Sequence, residues 1–321
     1  MFFLLIPVVL YMLIKKYFFS KSPKKLLKKH VVVTGGSSGI GKSVGILAAS
    51  RGANVTIIAR DEDKLKLAER DIKKACIDEN QQVKIFSLDV TDNVAVTRVF
   101  DQIEDSGGPI YMLINCAGKS ICRTLEDMSV DDITSMLNLN VLGTVFPTRW
   151  VLPKFKARKE GIIVITASQA SLIGIYGMSV YSASKFALRG FAEAIDMEAR
   201  FHNVSVTLSL PPDTDTPGLH AENIGKPEET LLISGCAGLF QPDVVAERLL
   251  DDALDKKFFS HIGFESFVST TLGAGMSPCS SIAEILLQLF CMGPLRLIGL
   301  GYLAHFHRII RRGVEKSEKQ K

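Results

Sequence analysis

His30-Val31-Val32-Val33-Thr34-Gly35-Gly36-Ser37-Ser38-Gly39-Ile40-Gly41 is the stretch on which the fold turns. Residues 30–34 form a short apolar run that stops at a glycine, the pattern of a buried strand. A helical pattern follows over 40–50. Glycines in such a turn allow positive φ and bring the backbone close to a pyrophosphate. The helix that follows points its free N–H groups and the positive end of its dipole at the same place. Gly35, Ser37, Ser38, Gly39, Ile40 and Gly41 are therefore read as a phosphate cradle. A glycine-rich turn alone is weak evidence; between a strand and a helix it is specific.

Outward from this turn the alternation repeats. Further β-rich runs lie at 54–59, 83–88, 111–115, 161–166 and 204–210, separated by helix-period segments, among them a charged helix over 62–79. Strands each followed by a helix imply βαβ crossovers and a parallel sheet covered on both faces. The expected fold is α/β, a Rossmann-type doubly wound parallel sheet, with membrane-associated segments at both termini. The expected organisation is an N-terminal anchor with a Lys-rich flank (1–29), one catalytic domain (30–262), an apolar membrane-associated region (263–312) and a polar tail (313–321).

The ends carry the basic charge. Residues 15–29 hold seven Lys and no acid, and 305–321 hold six basic and two acidic side chains, so the formal +4 of the chain leaves 30–304 at −7. A nucleic-acid binder would carry its positive charge on the folded domain, so that class is excluded. Lysines flanking apolar segments read as membrane topology instead. A disordered chain is excluded by 47% hydrophobic side chains. The six cysteines show neither a C-x-x-C pair nor Cys/His metal spacing, so they are read as core residues on a reducing side, with no metal site.

Residues 1–14, MFFLLIPVVLYMLI, carry no charge. They lack the basic n-region and small-residue cleavage site of a signal peptide. Fourteen apolar residues fall short of the roughly 20 that span a bilayer, unless Lys15 and Lys16 snorkel and 17–19 extend the run. An uncleaved anchor is expected, spanning, re-entrant or lying in the interface. At the other end, 282–310 is apolar but interrupted by Glu284, Gly293-Pro294 and Arg296. A helical hairpin broken at Gly293-Pro294, an amphipathic segment on the bilayer and an apolar helix packed on the body all fit. The Lys run is expected to stay cytosolic, with the catalytic domain on the same side of its membrane, and the expected membrane is that of the endoplasmic reticulum. The sequons at Asn54 and Asn203 would then stay unglycosylated.

The second strand ends Ile58-Ala59-Arg60. A site for NAD would place a carboxylate here for the ribose 2′-hydroxyl. Ala59 has none, whereas the Arg60 fork, with Lys64, suits a 2′-phosphate, which favours NADPH. Asp89 follows the third strand and can accept from the adenine amino group. Asn115, Ala117 and Gly118 follow the fourth and are expected along the cofactor channel.

Tyr181-Ser182-Ala183-Ser184-Lys185 puts a phenol and an ammonium on one helix face. The ammonium is expected to stabilise the phenolate and bring a pKa of about 10 towards the working range. Ser168 lies at the end of a strand, where its hydroxyl can bond a substrate carbonyl oxygen. Asn140, in a helical stretch before that strand, can hold a water linking Lys185 to solvent. Together with the phosphate turn, these four residues form a proton-transfer site.

Over about 30–260 the chain resembles the short-chain dehydrogenase/reductase family, through TGGSSGIG, NCAG, the NxNVLG stretch, Ser168 and YSASK. The resemblance implies about seven parallel strands and a catalytic tetrad of Asn140, Ser168, Tyr181 and Lys185. It implies Tyr181 as the acid that protonates a carbonyl oxygen, and Lys185 as a ligand of the cofactor ribose. One motif departs: after the sixth strand the chain reads Pro211-Pro212-Asp213-Thr214-Asp215-Thr216, with Pro212 where the family has glycine. The loop conformation is thus open, and Thr214 or Thr216 is left to contact the cofactor carboxamide.

Anchors on such a domain suit a substrate that lives in the bilayer, since each buried CH₂ contributes about 0.8 kcal/mol. A lipid ketone is expected, with 214–240 as lid and chain channel and Leu219, Ile224, Leu231, Leu232 and Ile233 as its apolar lining. A steroid, retinoid or 3-ketoacyl-CoA substrate, a non-catalytic lipid-binding scaffold and a homo-oligomer stay open at this level.

Overall fold

The computed structural model describes residues 25–319; of the expected anchor and Lys-rich flank over 1–29, residues 1–24 lie outside them. In chain order the main elements are β1 (His30–Thr34), α1 (Gly39–Ser50), β2 (Asn54–Ala59), α2 (Glu62–Lys74), β3 (Val83–Ser87), α3 (Asn93–Gly107), β4 (Ile110–Asn115), α4 (Val130–Leu137), α5 (Gly143–Arg158), β5 (Gly161–Thr166), α6 (Ser179–Ala199), β6 (Val204–Ser209), α7 (Pro217–Glu222), α8 (Glu228–Ser234), α9 (Pro242–Leu254), β7 (Phe259–Ser260), α10 (Phe264–Gly273) and α11 (Ile282–Glu318). The seven strands form one parallel sheet in the order β3-β2-β1-β4-β5-β6-β7. The order reverses beside β1, and the crevice at that switch point, beyond the carboxyl ends of β1 and β4, is where such sheets bind ligands.

The strands read as continuous apolar runs because both faces are covered. Val31, Val33, Val55 and Ile57 pack against Val44, Ala48, Leu65 and Ile72 of α1 and α2 and Leu249 of α9. On the other face, Val32, Ile58, Leu113 and Ile163 meet Phe100 of α3, Phe155 of α5 and Leu188 of α6.

Two local expectations change, and the seventh strand has no counterpart in the sequence pattern. The charged helix ends at Lys74 rather than at 79, because side chains satisfy the backbone differently beyond it. Gln81 Oε1 accepts from the N–H groups of Ile77 and Asp78, and Asp78 accepts from that of Asn80. β7 is only two residues long, too short to show periodicity. The break at Gly293-Pro294 is absent, and α11 runs unbroken through Pro294 and past residue 312 to Glu318. Phe290 and Pro294 are both exposed, so the carbonyl that loses its donor is on the open side of the helix. Glu284 proves to be a cap: it accepts from Ser280 N–H at 2.8 Å while Ser281 Oγ accepts from Glu284 N–H.

Leu287 and Leu295 of α11 are buried, the latter against Phe267 and Val268 of α10. Most of the helix is not covered, and Leu289, Phe290 and Leu297 are more than 60% exposed. Among the described residues, Ile282–Lys316 is the one helix long and apolar enough to cross a membrane.

Candidate active site

Strand register brings distant residues to one rim. Thr34 pairs with Asn115, Asn115 with Ile165, and Thr166 with Ser209. The segments beginning at Gly35, Cys116, Ala167 and Leu210 therefore leave the sheet side by side.

Two cavities meet there. The first, about 370 Å³, runs from Arg60, Lys64 and Asp89 along Gly35, Ser37, Ser38, Gly39, Ile40 and Gly41 to Ala117, Gly118, Thr166 and Thr216. Its lining, a glycine-rich turn at one end of a helix and two basic side chains at the far end, suits a dinucleotide. Gly35 has φ +68°, and a Cβ there would lie 2.7 Å from Ala117 N. Gly41 lets α1 pack directly on the Gly35 carbonyl. Ser38 caps α1 without a side-chain hydrogen bond, leaving the first-turn N–H groups for an anion. Gly35→Ala is expected to destabilise the fold by about 1–3 kcal/mol and to weaken dinucleotide binding at least tenfold, measurable by thermal melting and fluorescence titration.

At the adenosine end, Arg60 and Lys64 are largely exposed, and the Arg60 fork stands 3.9 Å from Asp89. Burial pushes the Asp89 carboxyl up, but hydrogen bonds from the Thr91 N–H and hydroxyl, with the Arg60 charge, outweigh it and hold it below its ordinary range. Asn115 does not line this cleft. It is buried, donating to Thr148 Oγ1 at 3.2 Å and to the Val164 carbonyl at 3.3 Å, and so ties β4 to α5 and β5.

The second cavity, about 490 Å³, holds Ser168, Tyr181 and Lys185 and shares Ile40, Cys116, Gly118, Thr166, Thr216 and Gly218 with the first. Ser168 caps a short 3₁₀ turn after β5, and its hydroxyl bonds the Tyr181 phenol. Lys185, on α6, is buried with Nζ 5.5 Å from the Tyr181 ring centre, and donates to the Thr166 carbonyl at 3.0 Å. Burial lowers this ammonium to about 8, with Cys116 opposing slightly.

The expected lowering of the phenol is not what the geometry gives. Burial pushes Tyr181 well above its ordinary value, Glu222 and Asp213 add to this, and only the Ser168 bond opposes. The phenol thus keeps its proton across the neutral range. The direct partners of the buried Asn140 side chain are Lys119 and Ser184. From a π-helical turn, Asn138–Leu142, its Oδ1 accepts from Lys119 N–H, and its Nδ2 donates to the Lys119 carbonyl and to Ser184 Oγ. It locks the segment after β4 onto α6, with Lys185 Nζ and Asn140 Oδ1 both close to Gly118.

The Pro211-Pro212 loop has a defined path. Thr214 Oγ1 donates to the Pro212 carbonyl at 2.9 Å, and Thr214 bridges Phe240. Thr216 caps α7 by accepting from Leu219 N–H, and it alone of the two threonines borders both cavities. Of the expected apolar lining, Leu219 and Ile233 face the second cavity, while Ile224, Leu231 and Leu232 do not line it and are 45–78% exposed. Leu172, Ile173, Ile175 and Met178 from the segment before α6 line it too, and the two C-terminal helices add Val268 and Leu272 from α10 and Tyr302, Leu303 and Phe306 from α11. Asp213 and Glu222 also line it, a polar feature that an apolar reading of 214–240 passes over.

A nucleotide-sized cleft joined to an apolar cavity at a Ser–Tyr–Lys cluster defines a dinucleotide-dependent oxidoreductase. Residues 29–226 match the short chain dehydrogenase family, and the chain belongs to it. It is 44% identical over 287 residues to a mouse protein described as 3-ketodihydrosphingosine reductase, covering 89% of this chain and 86% of that one. A zebrafish 3-dehydrosphinganine reductase is 44% identical over 289 residues, covering 90% and 87%. A solved short chain dehydrogenase/reductase family protein superposes with a TM-score of 0.64 at 25% identity, over 74% of this chain and 97% of that one. The protein is an NAD(P)H-dependent oxidoreductase of the class acting on ketones and alcohols.

Proposed function

We propose that this enzyme reduces the ketone of 3-ketodihydrosphingosine to dihydrosphingosine with NADPH, as a step of sphingolipid synthesis. The observation that carries the reading is the apolar cavity opening onto Ser168 and Tyr181 and walled by α11, the helix apolar enough for a bilayer. The runs PPDTDTPG and YSASKFALRG, and the descriptions of the mouse and zebrafish relatives, point the same way.

Gly35, Ser37, Ser38, Gly39, Ile40 and Gly41 would hold the pyrophosphate, Arg60 and Lys64 the 2′-phosphate, Asp89 the adenine, Ala117 and Gly118 the channel wall, and Thr216 the carboxamide. When bound, NADPH supplies a hydride to the carbonyl carbon. Ser168 orients the carbonyl oxygen by donating a hydrogen bond to it. Tyr181 gives its proton to that oxygen, completing the alcohol, and Lys185 supplies the positive charge that stabilises the phenolate left behind. Asn140 positions this group through Lys119 and Ser184. The catalytic body spans 30–262 in this reading. The region 263–312, with the apolar N-terminal segment, holds it on the cytosolic face of the endoplasmic reticulum membrane.

NADPH oxidation by detergent-purified enzyme with 3-ketodihydrosphingosine tests the proposal, and turnover of only a steroid or acyl-CoA ketone overturns it. Arg60→Ala is expected to raise the KM for NADPH about 10- to 100-fold and to leave that for NADH nearly unchanged, the loss of one charged hydrogen bond to phosphate.

A further inference from the structure

One face of α11 is covered along the whole helix. From Glu284 and Leu287, through Leu295 and Tyr302, to Ile309 and Gly313, buried or half-buried residues recur at helical steps. Leu295 packs on α10, a Cβ at Gly313 would strike the Glu229 carboxylate of α8, and Lys316 pairs with Glu228 at 3.0 Å. The stretch 284–313 is about 44 Å long at 1.5 Å per residue, more than the roughly 30 Å of a bilayer core. A helix tied to the body over that length has no free segment with which to cross.

The opposite face is bare and divided by chemistry. From Ile282 to Ala304 it carries one exposed charge, Arg296, among Ile282, Leu289, Phe290 and Leu297, which are 62–76% exposed. Beyond it Arg308, Arg311 and Arg312 are all exposed, and Glu315, which meets Arg311 at 2.9 Å, offsets only one of them. A continuous apolar stripe is unusual on a surface that meets only water. With a basic end it has the makeup of a helix lying in a membrane interface, apolar side chains at the acyl boundary and cations among anionic headgroups. The cavity beside Tyr181 opens at the same place. Of its lining residues only Gly118, Gly218 and Arg296 are exposed. The two glycines also border the dinucleotide cleft, so Arg296 marks a second mouth, next to the apolar stripe.

We propose that the bare face of α11 rests flat on an anionic bilayer without crossing it, and that an alkyl-chain ligand enters the cavity from the lipid beside Arg296. This deepens the proposed function, on which only the identity of that ligand rests. One helix then does both tasks: its outer side chains hold the lipid surface while Tyr302, Leu303 and Phe306 on its inner side wall the cavity. A chain leaving the bilayer there passes from one apolar surroundings to another without exposure to water.

Depth measurements on the full chain test the orientation. Trp150, on α5, is the one tryptophan, so its signal in wild type is the baseline. Ile282→Trp, Leu289→Trp and Leu297→Trp are placed in phosphatidylcholine–phosphatidylserine vesicles whose lipids are brominated near the headgroup or near the chain end. All three are expected to be quenched more by the shallow bromines, and in the same ratio. In a crossing helix, positions 282 and 297 would lie about 22 Å apart along the membrane normal. Quenching that deepens from one probe to the next therefore overturns the flat orientation. No quenching at any probe overturns it too, since the face is then covered by another part of the chain or by a second copy.

The entry route is read in Phe306→Trp, whose ring lines the cavity, with a long-chain bromoalkanol as quencher. Leu289→Glu with Leu297→Glu should slow quenching by alkanol carried in vesicles by about tenfold or more, while alkanol in detergent quenches both proteins alike. Equal rates from vesicles, or equal slowing in both media, overturn the route. Neither measurement involves turnover, so a failure here and a failure of the proposed reduction are read separately.

Discussion

Tyr181→Phe should lower kcat/KM for ketone reduction by about 10³-fold or more while the protein stays folded and binds dinucleotide as before. The ring packs beside Met128, Met136 and Val180, and phenylalanine preserves those contacts. The variant loses the phenol oxygen and its bond with Ser168, a modest cost of about 1 kcal/mol to stability. What it removes from the reaction is the proton donor, and positioned acids typically contribute 10²–10⁴ in rate. Melting, dinucleotide titration and turnover on one preparation make the check. A scaffold that retained the fold would lose nothing, so undiminished turnover would remove the acid role from Tyr181. Because burial raises this phenol, its own titration should not shape the rate between pH 6 and 9.

Lys185→Met should also abolish most activity, by about 10²–10³-fold, yet leave the protein more stable. Burial lowers the Lys185 ammonium to about 8, below its ordinary value of 10.5. The unfolded chain therefore binds more protons between those two values, and the folded state bears the full penalty of a buried charge below pH 8. Methionine keeps the stem and removes the charge, at the loss of the bond to the Thr166 carbonyl. A net gain of about 1–2 kcal/mol at pH 7 is expected, roughly 2–5 °C in Tm. The same titration sets a pH limb. Below about 8 the ammonium is charged and can support the phenolate; above it the charge is lost, so kcat/KM for reduction should fall as pH rises through about 8. In Lys185→Met the residual activity should lack that limb. A limb that persists in the variant would assign it elsewhere.

These two effects have different origins, and that explains how they divide between chain and fold. Tyr181 and Lys185 are four apart on one helix, so their proximity is a local property. The height of the phenol comes from burial and from Glu222 and Asp213, which the segment around α7 brings to the site, and the depression of the ammonium comes from burial. A reading that counts only the neighbouring ammonium predicts a lowered phenol. The three-dimensional environment reverses the sign.

Local pattern alone located six of the seven strands to within a residue or so and the turn from Gly35 to Gly41, because apolar runs, glycines and helix starts are imposed by nearest-neighbour backbone geometry. It also placed Ser168, Tyr181 and Lys185, whose chemistry is carried by residue type. Tertiary contacts decided the rest. β7 exists only by pairing with β6, Asn115 turns inward to Thr148, and Thr216 rather than Thr214 borders both cavities. α11 stays continuous through Pro294 because that residue lies on the uncovered side, and its far turns return to wall the cavity. Each of these depends on which distant segment lies alongside, and no short-range periodicity encodes the register and burial that determine it.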